Sequence, residues 1–311
     1  MKQQRGAALL TAMIIVTLVA TLASAMIWQQ WRAVQIEAAE RARLQAAWIL
    51  SGALDWARLI LREDAKSGGA DHLGEPWAVP LAEARLSTFL AVDKDNADDA
   101  PEAFLSGSIT DAQSRYNLRN LIDDNKVVAE EVAALKRLFQ AISVSPAVAE
   151  SIATGLRDAI APADPGRKSA NVPLMPQSVA QLTWLGVDAE SVQRMTPYVV
   201  LLPARTAINL NTAPKEVLIA AVDGLDLGTA ERLVQVRQRS PFKSIQDAKN
   251  HMPATLEPAA QRANTVSAYF EVRGRLRLGD RVLEESSLVE RRGLEIIPLS
   301  RKRESSRESS G

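Results

Sequence analysis

The order of apolar and polar residues divides the chain into an uncharged N-terminal run, an amphipathic continuation and a mixed remainder. Residues 7–27 include no charged side chain in 21 positions. As a helix they span about 31 Å, which matches a bilayer hydrocarbon core about 30 Å thick. Beyond Trp31, apolar residues recur at helical spacing as far as Ile60. The pattern therefore predicts one continuous helix over residues 7–65, apolar all round in its first half and amphipathic in its second.

Alternation of period two marks two β segments that lie far apart in the sequence. The first, residues 106–121, predicts two short extended pieces, and the second, residues 263–293, predicts a hairpin with its turn at 278–282. Helical patterns dominate the residues between them, 125–262. The sequence thus predicts an α+β fold, in which a small antiparallel sheet packs on the long N-terminal helix and is interrupted by a large inserted α-helical domain.

The predicted organisation has five parts. They are a leader at 1–6, the helix at 7–65, an α+β domain formed by 66–124 and 263–298, the inserted helical domain at 125–262, and a tail at 299–311. The tail is charged and rich in serine, and this composition predicts disorder.

Charge around the apolar run predicts its orientation in a membrane. Lys2 and Arg5 precede the run, so the positive-inside rule places the short N-terminus in the cytoplasm and the rest of the chain outside it. Residues 23–25, Ala-Ser-Ala, are compatible with a signal-peptide cleavage site, but the apolar run is longer than such a signal requires. Trp28 and Trp31 then lie where interfacial aromatic residues anchor a spanning helix. An ordinary single-span anchor stays an alternative at this point.

Composition excludes several classes of chemistry. Lys plus Arg and Asp plus Glu both total 37, so no overall field favours nucleic acid or an anionic surface. Cysteine is absent, which excludes thiolate catalysis, cysteine metal sites and disulfide bonds. His72 and His251 are the two histidines, and neither lies in a motif of serine hydrolases or zinc enzymes.

The N-terminal segment resembles a type IV prepilin sequence, with a short basic leader that ends in glycine, an apolar helix and an amphipathic continuation. The resemblance implies that a prepilin peptidase cuts after Gly6 and that the new terminal residue, Ala7, is methylated. Family members normally carry Glu at the fifth mature position, where it pairs with the terminal amine of a neighbouring subunit, but this chain has Thr11. A subunit without a neighbour above it does not need that carboxylate, which is costly in lipid unless paired. Its omission is typical of the minor pseudopilin K family of type II secretion systems (general secretion pathway protein K).

Resemblance to the pseudopilin K family covers nearly the whole chain and is strongest in the leader, "SITDAQSRYNLRNL", "INLNTAPKEVL" and the terminal hairpin. It implies a protein that starts or caps the pseudopilus at its tip and supports protein export. It also implies a single span in the inner membrane with the C-terminal domain in the periplasm. The implied partners are the minor pseudopilins of types I and J and prepilin peptidase, and contact with a secreted substrate stays open.

Three apolar residues of the long helix are candidates for packing against partner helices. They are Trp31, Ile49 and Trp56, with packing inside their own domain as the alternative.

Residues 208–250 suggest a second function, because they predict a helix-hairpin-helix pattern with an imperfect echo at 177–195. In competence DNA receptors, backbone amides of such a hairpin approach phosphates. Here Asp226 stands where the hairpin generally needs its second glycine, and the segment holds six cations against five anions. A membrane-anchored DNA-binding protein is therefore the less favoured alternative. Arg237, Arg239 and Lys243 are predicted to form a solvated face or to be salt-bridge partners of a protein surface.

Acidic residues give two weaker signals for a metal ion. Asp93, Asp95, Asp98 and Asp99 could hold Ca²⁺, although their segment lacks the glycine and glutamate of an EF-hand loop. Asp71, His72 and Glu75 form a looser trio in a glycine-rich setting. No other cofactor is predicted. Asp111, Arg115, Asn117 and Asn120 are predicted to satisfy turns and strand ends, and no enzymatic activity is expected.

Overall fold

A computed structural model describes residues 4–86, 103–160, 173–258, 261–278 and 281–307, with side chains described between 7 and 304. The chain divides into two compact units at Gly52 and Ala53. Helix α1, Gln4–Ser67, supplies residues 4–52 to the first unit and 53–67 to the second. The long helix predicted over 7–65 is therefore present and extends slightly at both ends.

The second unit contains a five-stranded antiparallel sheet. Its strands are β1 Leu81–Arg85, β2 Ala103–Asp111, β9 Tyr269–Leu278, β10 Arg281–Arg292 and β11 Glu295–Arg307, and their spatial order is β1-β2-β9-β10-β11. The predicted hairpin corresponds to β9 and β10, which pair from Leu278 with Arg281 as far as Tyr269 with Glu290. Strand β2 pairs with β9 although about 160 residues separate them, as in the pair Asp111 and Phe270. The sheet is thus closed across the helical insertion.

The predicted disordered tail is wrong as far as Arg307. Strand β11 begins at Glu295 and pairs with β10 along its whole length. Residues 299–307 carry few apolar side chains, so no hydrophobic alternation announces a strand. Backbone hydrogen bonds to β10 order these residues, although they have few apolar side chains to bury.

One face of the sheet packs on the C-terminal part of α1. Leu54, Ala57 and Leu61 are buried against a cluster that includes Phe270 and Val272. These helix residues are spaced by three or four and the strand residues by two, as the two periodicities require. Trp77, from a short 3₁₀ helix, packs edge-to-face on Phe270 with ring centroids 5.2 Å apart. This packing fixes the end of α1 on the sheet.

The helical region lies between β2 and β9, as predicted. Its helices are α2 Ala129–Ala141, α3 Ala147–Ile160, α4 Ala189–Met195, α5 Lys215–Ala221, α6 Leu227–Arg239 and α7 Ile245–Lys249, with a 3₁₀ helix at Val179–Leu185. Their apolar faces share one core, in which Leu135, Phe139, Ile152, Leu218 and Leu233 are buried. This core is separate from the one between α1 and the sheet.

Short strand pairs join the helical region to the rest of the second unit. β3 Tyr116–Asn117 pairs in parallel with β6 Val199–Val200, and β7 Ile208–Asn209 pairs in parallel with β8 Ala263–Asn264. β4 Ile122–Asp123 and β5 Lys126–Val127 form a small antiparallel hairpin at the entry to α2. Each pair is only two residues long, so side-chain contacts must hold the joint.

Candidate functional site

The apolar part of α1 satisfies its own polar groups. Thr11, Thr17, Thr21 and Ser24 each donate a hydroxyl hydrogen bond to a backbone carbonyl three or four residues earlier. Apolar side chains from Leu9 to Ile27 are exposed. Within the described residues one helix, α1, is long and apolar enough to cross a membrane. Its hydroxyls need no partner from another helix, which suits a segment that rests alone in lipid.

Gly6, Ala7 and Thr11 lie in the first turns of α1. Thr11 Oγ1 donates to the carbonyl of Ala7 at 2.9 Å, so the fifth mature position is neutral and internally bonded. Cleavage after Gly6 and methylation of Ala7 stay predictions.

Of the three candidates for partner-helix packing, two are strongly exposed. Trp31 is 61% exposed and Trp56 is 51% exposed, whereas Ile49 is half-buried. Helix α1 packs Leu54 and Leu61 against the sheet. These are not the residues of the apolar row that ends at Ile60 but the residues next to them in the sequence. Trp56 is therefore left outside the core, on a surface where another helix can reach it.

Trp56 borders an apolar groove of about 240 Å³ between α1 and the sheet. Its walls include Ile60 and Val79, and Gly107 and Gly274, which face each other in β2 and β9, form part of its floor. A Cβ atom added to Gly107 would lie 2.9 Å from the carbonyl oxygen of Arg273, so the close strand approach requires glycine there.

A buried carboxylate, Asp111, joins the sheet to the helical region. Its Oδ1 accepts from the backbone N–H of Gln113 at 2.7 Å. Its Oδ2 accepts from Thr212 Oγ1 at 2.6 Å, Ser267 Oγ at 2.6 Å and Asn209 Nδ2 at 3.0 Å. Burial raises the pKa of Asp111, while the hydrogen bonds from Ser267 and Thr212 act in the opposite direction. Four hydrogen bonds from three chain segments thus converge on one side chain.

Two asparagines extend this joint. Asn117 accepts from Arg119 N and Leu202 N and donates to Ala204 O, and Asn120 bonds Thr206 through both its amide groups. Asn117 and Asn120 satisfy backbone groups at turns and strand ends as predicted, and Asp111 does so for Gln113 N. Arg115, predicted with them, instead donates to the Glu271 carboxylate at 2.9 Å. The sequence did not show that Asn209, Thr212 and Ser267 meet Asp111, although two of them lie in the quoted "INLNTAPKEVL".

The predicted trio of Asp71, His72 and Glu75 is replaced by another set. Carboxylates of Asp64, Asp71 and Glu75 lie within 4.8 Å of one another, while His72 Nδ1 accepts from Gly74 N and stays outside the cluster. Arg291 donates to Asp64 at 2.8 Å and to Asp71 at 2.5 Å, so one guanidinium pairs with two of the three acids.

The environment of the cluster raises the pKa of Asp64. Burial, followed by the charges of Glu75 and Asp71, raises the pKa of Asp64 to about 6 despite the opposing Arg291. Asp71 also accepts from Ser267 N, and Glu75 accepts from His72 N and Trp77 Nε1. Each of the three carboxylates is thus engaged, Asp64 and Asp71 by Arg291 and Glu75 by the two N–H donors.

In the helix pair that suggested nucleic-acid binding, an acidic side chain of the protein already bonds the amide at the start of the second helix. Asp226 caps α6 by accepting from the N–H and the hydroxyl of Thr229, and these bonds lower the pKa of Asp226. A carboxylate therefore occupies the place where a phosphate would approach. The prediction that Arg237 lies on a solvated face is wrong, because Arg237 is buried and donates to Leu210 O at 2.5 Å.

The acidic segment that predicted Ca²⁺ binding lies outside the described residues. This applies to Asp93, Asp95, Asp98 and Asp99 alike.

Comparison with known proteins identifies similar chains. Two family models, both described as type II secretion system (T2SS), protein K, match residues 114–204 and 208–268. Type II secretion system protein K of Pseudomonas aeruginosa is 29% identical over 89% of this chain and 86% of its own length. The proteins of the same description from Klebsiella pneumoniae and Pectobacterium carotovorum are 29% and 25% identical, over 86% and 96% of this chain and 83% and 96% of their own lengths.

A solved structure has the same fold. A chain in the crystal structure of the GspK-GspI-GspJ complex from the type 2 secretion system of enterotoxigenic Escherichia coli matches with a TM-score of 0.63. The alignment is 20% identical and covers 86% of this chain and 99% of that chain.

Proposed function

We propose that this chain, which is a minor pseudopilin and belongs to the type II secretion system protein K family, occupies the tip of the pseudopilus and starts or caps its assembly. The long apolar helix, the sheet and the intervening helical region are the parts that such a subunit combines.

The observation that carries the tip position is the state of Thr11. A repeating pilin subunit places a carboxylate at this point for the terminal amine of a neighbour, and a buried carboxylate without that amine is costly. The Thr11 hydroxyl already donates to Ala7 O in its own helix. A subunit with threonine at this position needs no terminal amine from a subunit above it. The bulk of the helical region, inserted between β2 and β9, also opposes stacking of a further subunit.

We infer that the protein rests in the inner membrane through the first half of α1, with its C-terminal domain in the periplasm. Lys2 and Arg5 favour this orientation, and the exposed apolar residues between Leu9 and Ile27 fit the hydrocarbon core. Prepilin peptidase then cuts after Gly6, Ala7 is methylated, and the helix moves from lipid into the filament.

The companion subunits in this proposal are the minor pseudopilins of types I and J. The similar solved chain belongs to a complex with GspI and GspJ. On this chain the exposed Trp56 and the groove beside it offer an apolar surface to a partner helix, with Trp31 and Ile49 as further contacts. The helix pairs at 179–195 and 215–239 act in this proposal as helix-hairpin-helix-like packing units.

The protein acts in this proposal by assembly and without catalysis. The carboxylates gathered at Asp64, Asp71 and Glu75 are engaged by Arg291 and by backbone donors. Calcium binding by Asp93, Asp95, Asp98 and Asp99 stays part of the proposal. Calorimetric titration of the full chain with CaCl₂ tests it, and heat that persists after all four are changed to Asn contradicts this ligand set.

Processing is tested by intact-mass measurement of the chain from cells with and without prepilin peptidase. The expected product begins at methylated Ala7, and Gly6→Ala is expected to block its formation. Gly52→Ala is the matched control, because it makes the same change in α1 where a Cβ atom meets nothing within 4 Å. An intact Met1 terminus in wild-type protein from cells that contain the peptidase contradicts the pilin pathway.

Partner binding is tested by co-purification of the full chain with the types I and J subunits. Trp56→Ala is expected to reduce recovery of the partners, while Trp184→Ala, at an equally exposed site in the helical region, leaves it unchanged. Failure of wild-type protein to retain either partner contradicts the proposed assembly role.

A further inference from the structure

We propose that the free edge of β11 binds an extended acidic polypeptide segment by strand addition. The edge comprises residues 298–304, which are exposed in succession and span about 24 Å at the rise of a strand. Strand β11 is the last in the sheet order, and in the described part of the chain it pairs with β10 alone. Over residues 298–304 its other side therefore presents backbone donors and acceptors that no described strand pairs. Nearer the start of β11, the carbonyl of Ile296 accepts from the Arg58 guanidinium.

The two edges of the sheet are not equivalent. β1 at the opposite edge has five residues and an irregular register between Leu81 and Ala84, and its Glu83 pairs with Arg277. β11 has thirteen residues, and its single register shift lies at Leu299, so residues 300–307 pair with β10 without interruption. A long regular edge is the better template for an added strand.

Charge indicates which segment fits. Arg301, Lys302 and Arg303 are consecutive in β11 and are followed by Glu304, so the edge carries a formal charge of +2 in a chain whose overall formal charge is zero. Arg303 is held by the buried Glu285 at 2.6 Å, whereas Arg301 approaches the same carboxylate only to 3.8 Å. Arg301 and Lys302 thus leave positive charge along the edge, on opposite faces because strand side chains alternate.

The same charges oppose pairing with a second copy of this chain. Two β11 edges brought together would each carry a net positive charge over residues 298–304, which opposes their association. Pro298 also lacks an amide donor at the start of the edge. An acidic segment from another polypeptide gains from both the unpaired backbone and the positive side chains. The edge is therefore suited to an acidic partner and unsuited to self-association.

The experiment uses the full chain in uncharged detergent and a fluorescent peptide of alternating valine and glutamate, about ten residues long. Fluorescence anisotropy measures binding. Two matched peptides serve as controls, one with lysine in place of glutamate and one with proline in place of valine. The proline peptide keeps the charge but loses half of its amide donors and favours the polyproline II conformation.

Strand addition predicts that the acidic peptide binds, that the proline peptide binds at least about tenfold more weakly, and that the lysine peptide does not bind. Lys302→Glu is expected to weaken binding about fivefold, while the exposed Lys126→Glu has no effect. Hydrogen exchange should slow in β11 and stay unchanged in β1.

Three results overturn the proposal. They are absence of binding by the acidic peptide, equal binding by the proline peptide, and binding without slower exchange in β11. The first would mean that the basic residues and Pro298 only protect the edge. The other two would mean that the peptide is held by charge alone.

Discussion

Replacing Asp111 by alanine should destabilise the second unit more than any other single polar substitution at the joint between sheet and helical region. The substitution removes the acceptor of Gln113 N–H and of the hydroxyls of Thr212 and Ser267, and one acceptor of Asn209. A buried donor left without a partner costs about 1–3 kcal/mol. The two hydroxyls can rotate towards other acceptors, and water can enter the vacated space. We therefore expect a loss of about 3–5 kcal/mol.

The conservative variant Asp111→Asn separates hydrogen bonding from shape. Its single carbonyl oxygen can satisfy Gln113 N–H or the hydroxyls but not both sets, so we expect a loss of about 1–2 kcal/mol. Asp123→Ala is the control, because its carboxylate makes an exposed ion pair with Arg205. Such a pair contributes at most about 1 kcal/mol.

The assay is equilibrium urea unfolding of the detergent-solubilised full chain at pH 7, followed by tryptophan fluorescence. The reasoning is refuted if Asp111→Ala stays within about 1 kcal/mol of the wild type, or if Asp123→Ala costs as much. In either case the four hydrogen bonds on Asp111 would not hold the joint.

Three further predictions concern stability. The pKa of Asp64 is about 6 in the folded state against 3.8 ordinarily. Between these values the folded state keeps a proton that the unfolded state has lost, so the free energy of unfolding should fall as pH rises from about 4 to 6. Asp64→Asn should flatten that slope in unfolding free energies measured across this range, and an unchanged slope would assign it to another group. Leu54→Ala should cost about 2–4 kcal/mol in urea unfolding, because Leu54 is only 2% exposed. Leu59 is 53% exposed on the same helix, so Leu59→Ala should cost little. Equal losses would contradict the packing of α1 on the sheet. Asp226→Ala should lower the free energy of unfolding by removing the cap of α6, and Asp226→Ser should restore most of the loss. An alanine variant as stable as the wild type would show that the cap contributes nothing.

Side-chain exposure differs between the N-terminal and C-terminal parts of α1, which have different roles. Its apolar N-terminal part bonds its own hydroxyls, and its C-terminal part packs Leu54, Ala57 and Leu61 on the sheet. Trp56 lies between these packed residues in sequence but outside the core in space. The apolar row that the sequence offers is thus wider than the stripe that the sheet covers, and the remainder is available to companion helices.

The sequence alone determined the long helix, its membrane-compatible half, the hairpin of β9 and β10 and the helical character of the region between the β segments. These features depend on hydropathy and on side-chain period over a few turns, and both are local properties. The resemblance to prepilins was equally local, since the leader, the apolar helix and the amphipathic continuation that carry it lie between Lys2 and Ile60.

Tertiary structure alone decided which polar residues meet. Asp111 and Asn209 are 98 positions apart, and Arg291 and Asp71 are 220 positions apart. Residue spacing in the sequence therefore could not predict either contact. It also decided that β11 is a strand and that Arg237 is buried. A charged, serine-rich segment becomes ordered when a neighbouring strand satisfies its backbone, and a guanidinium becomes buried when a carbonyl such as that of Leu210 accepts its hydrogen bond. Such partners exist only after distant parts of the chain have come together.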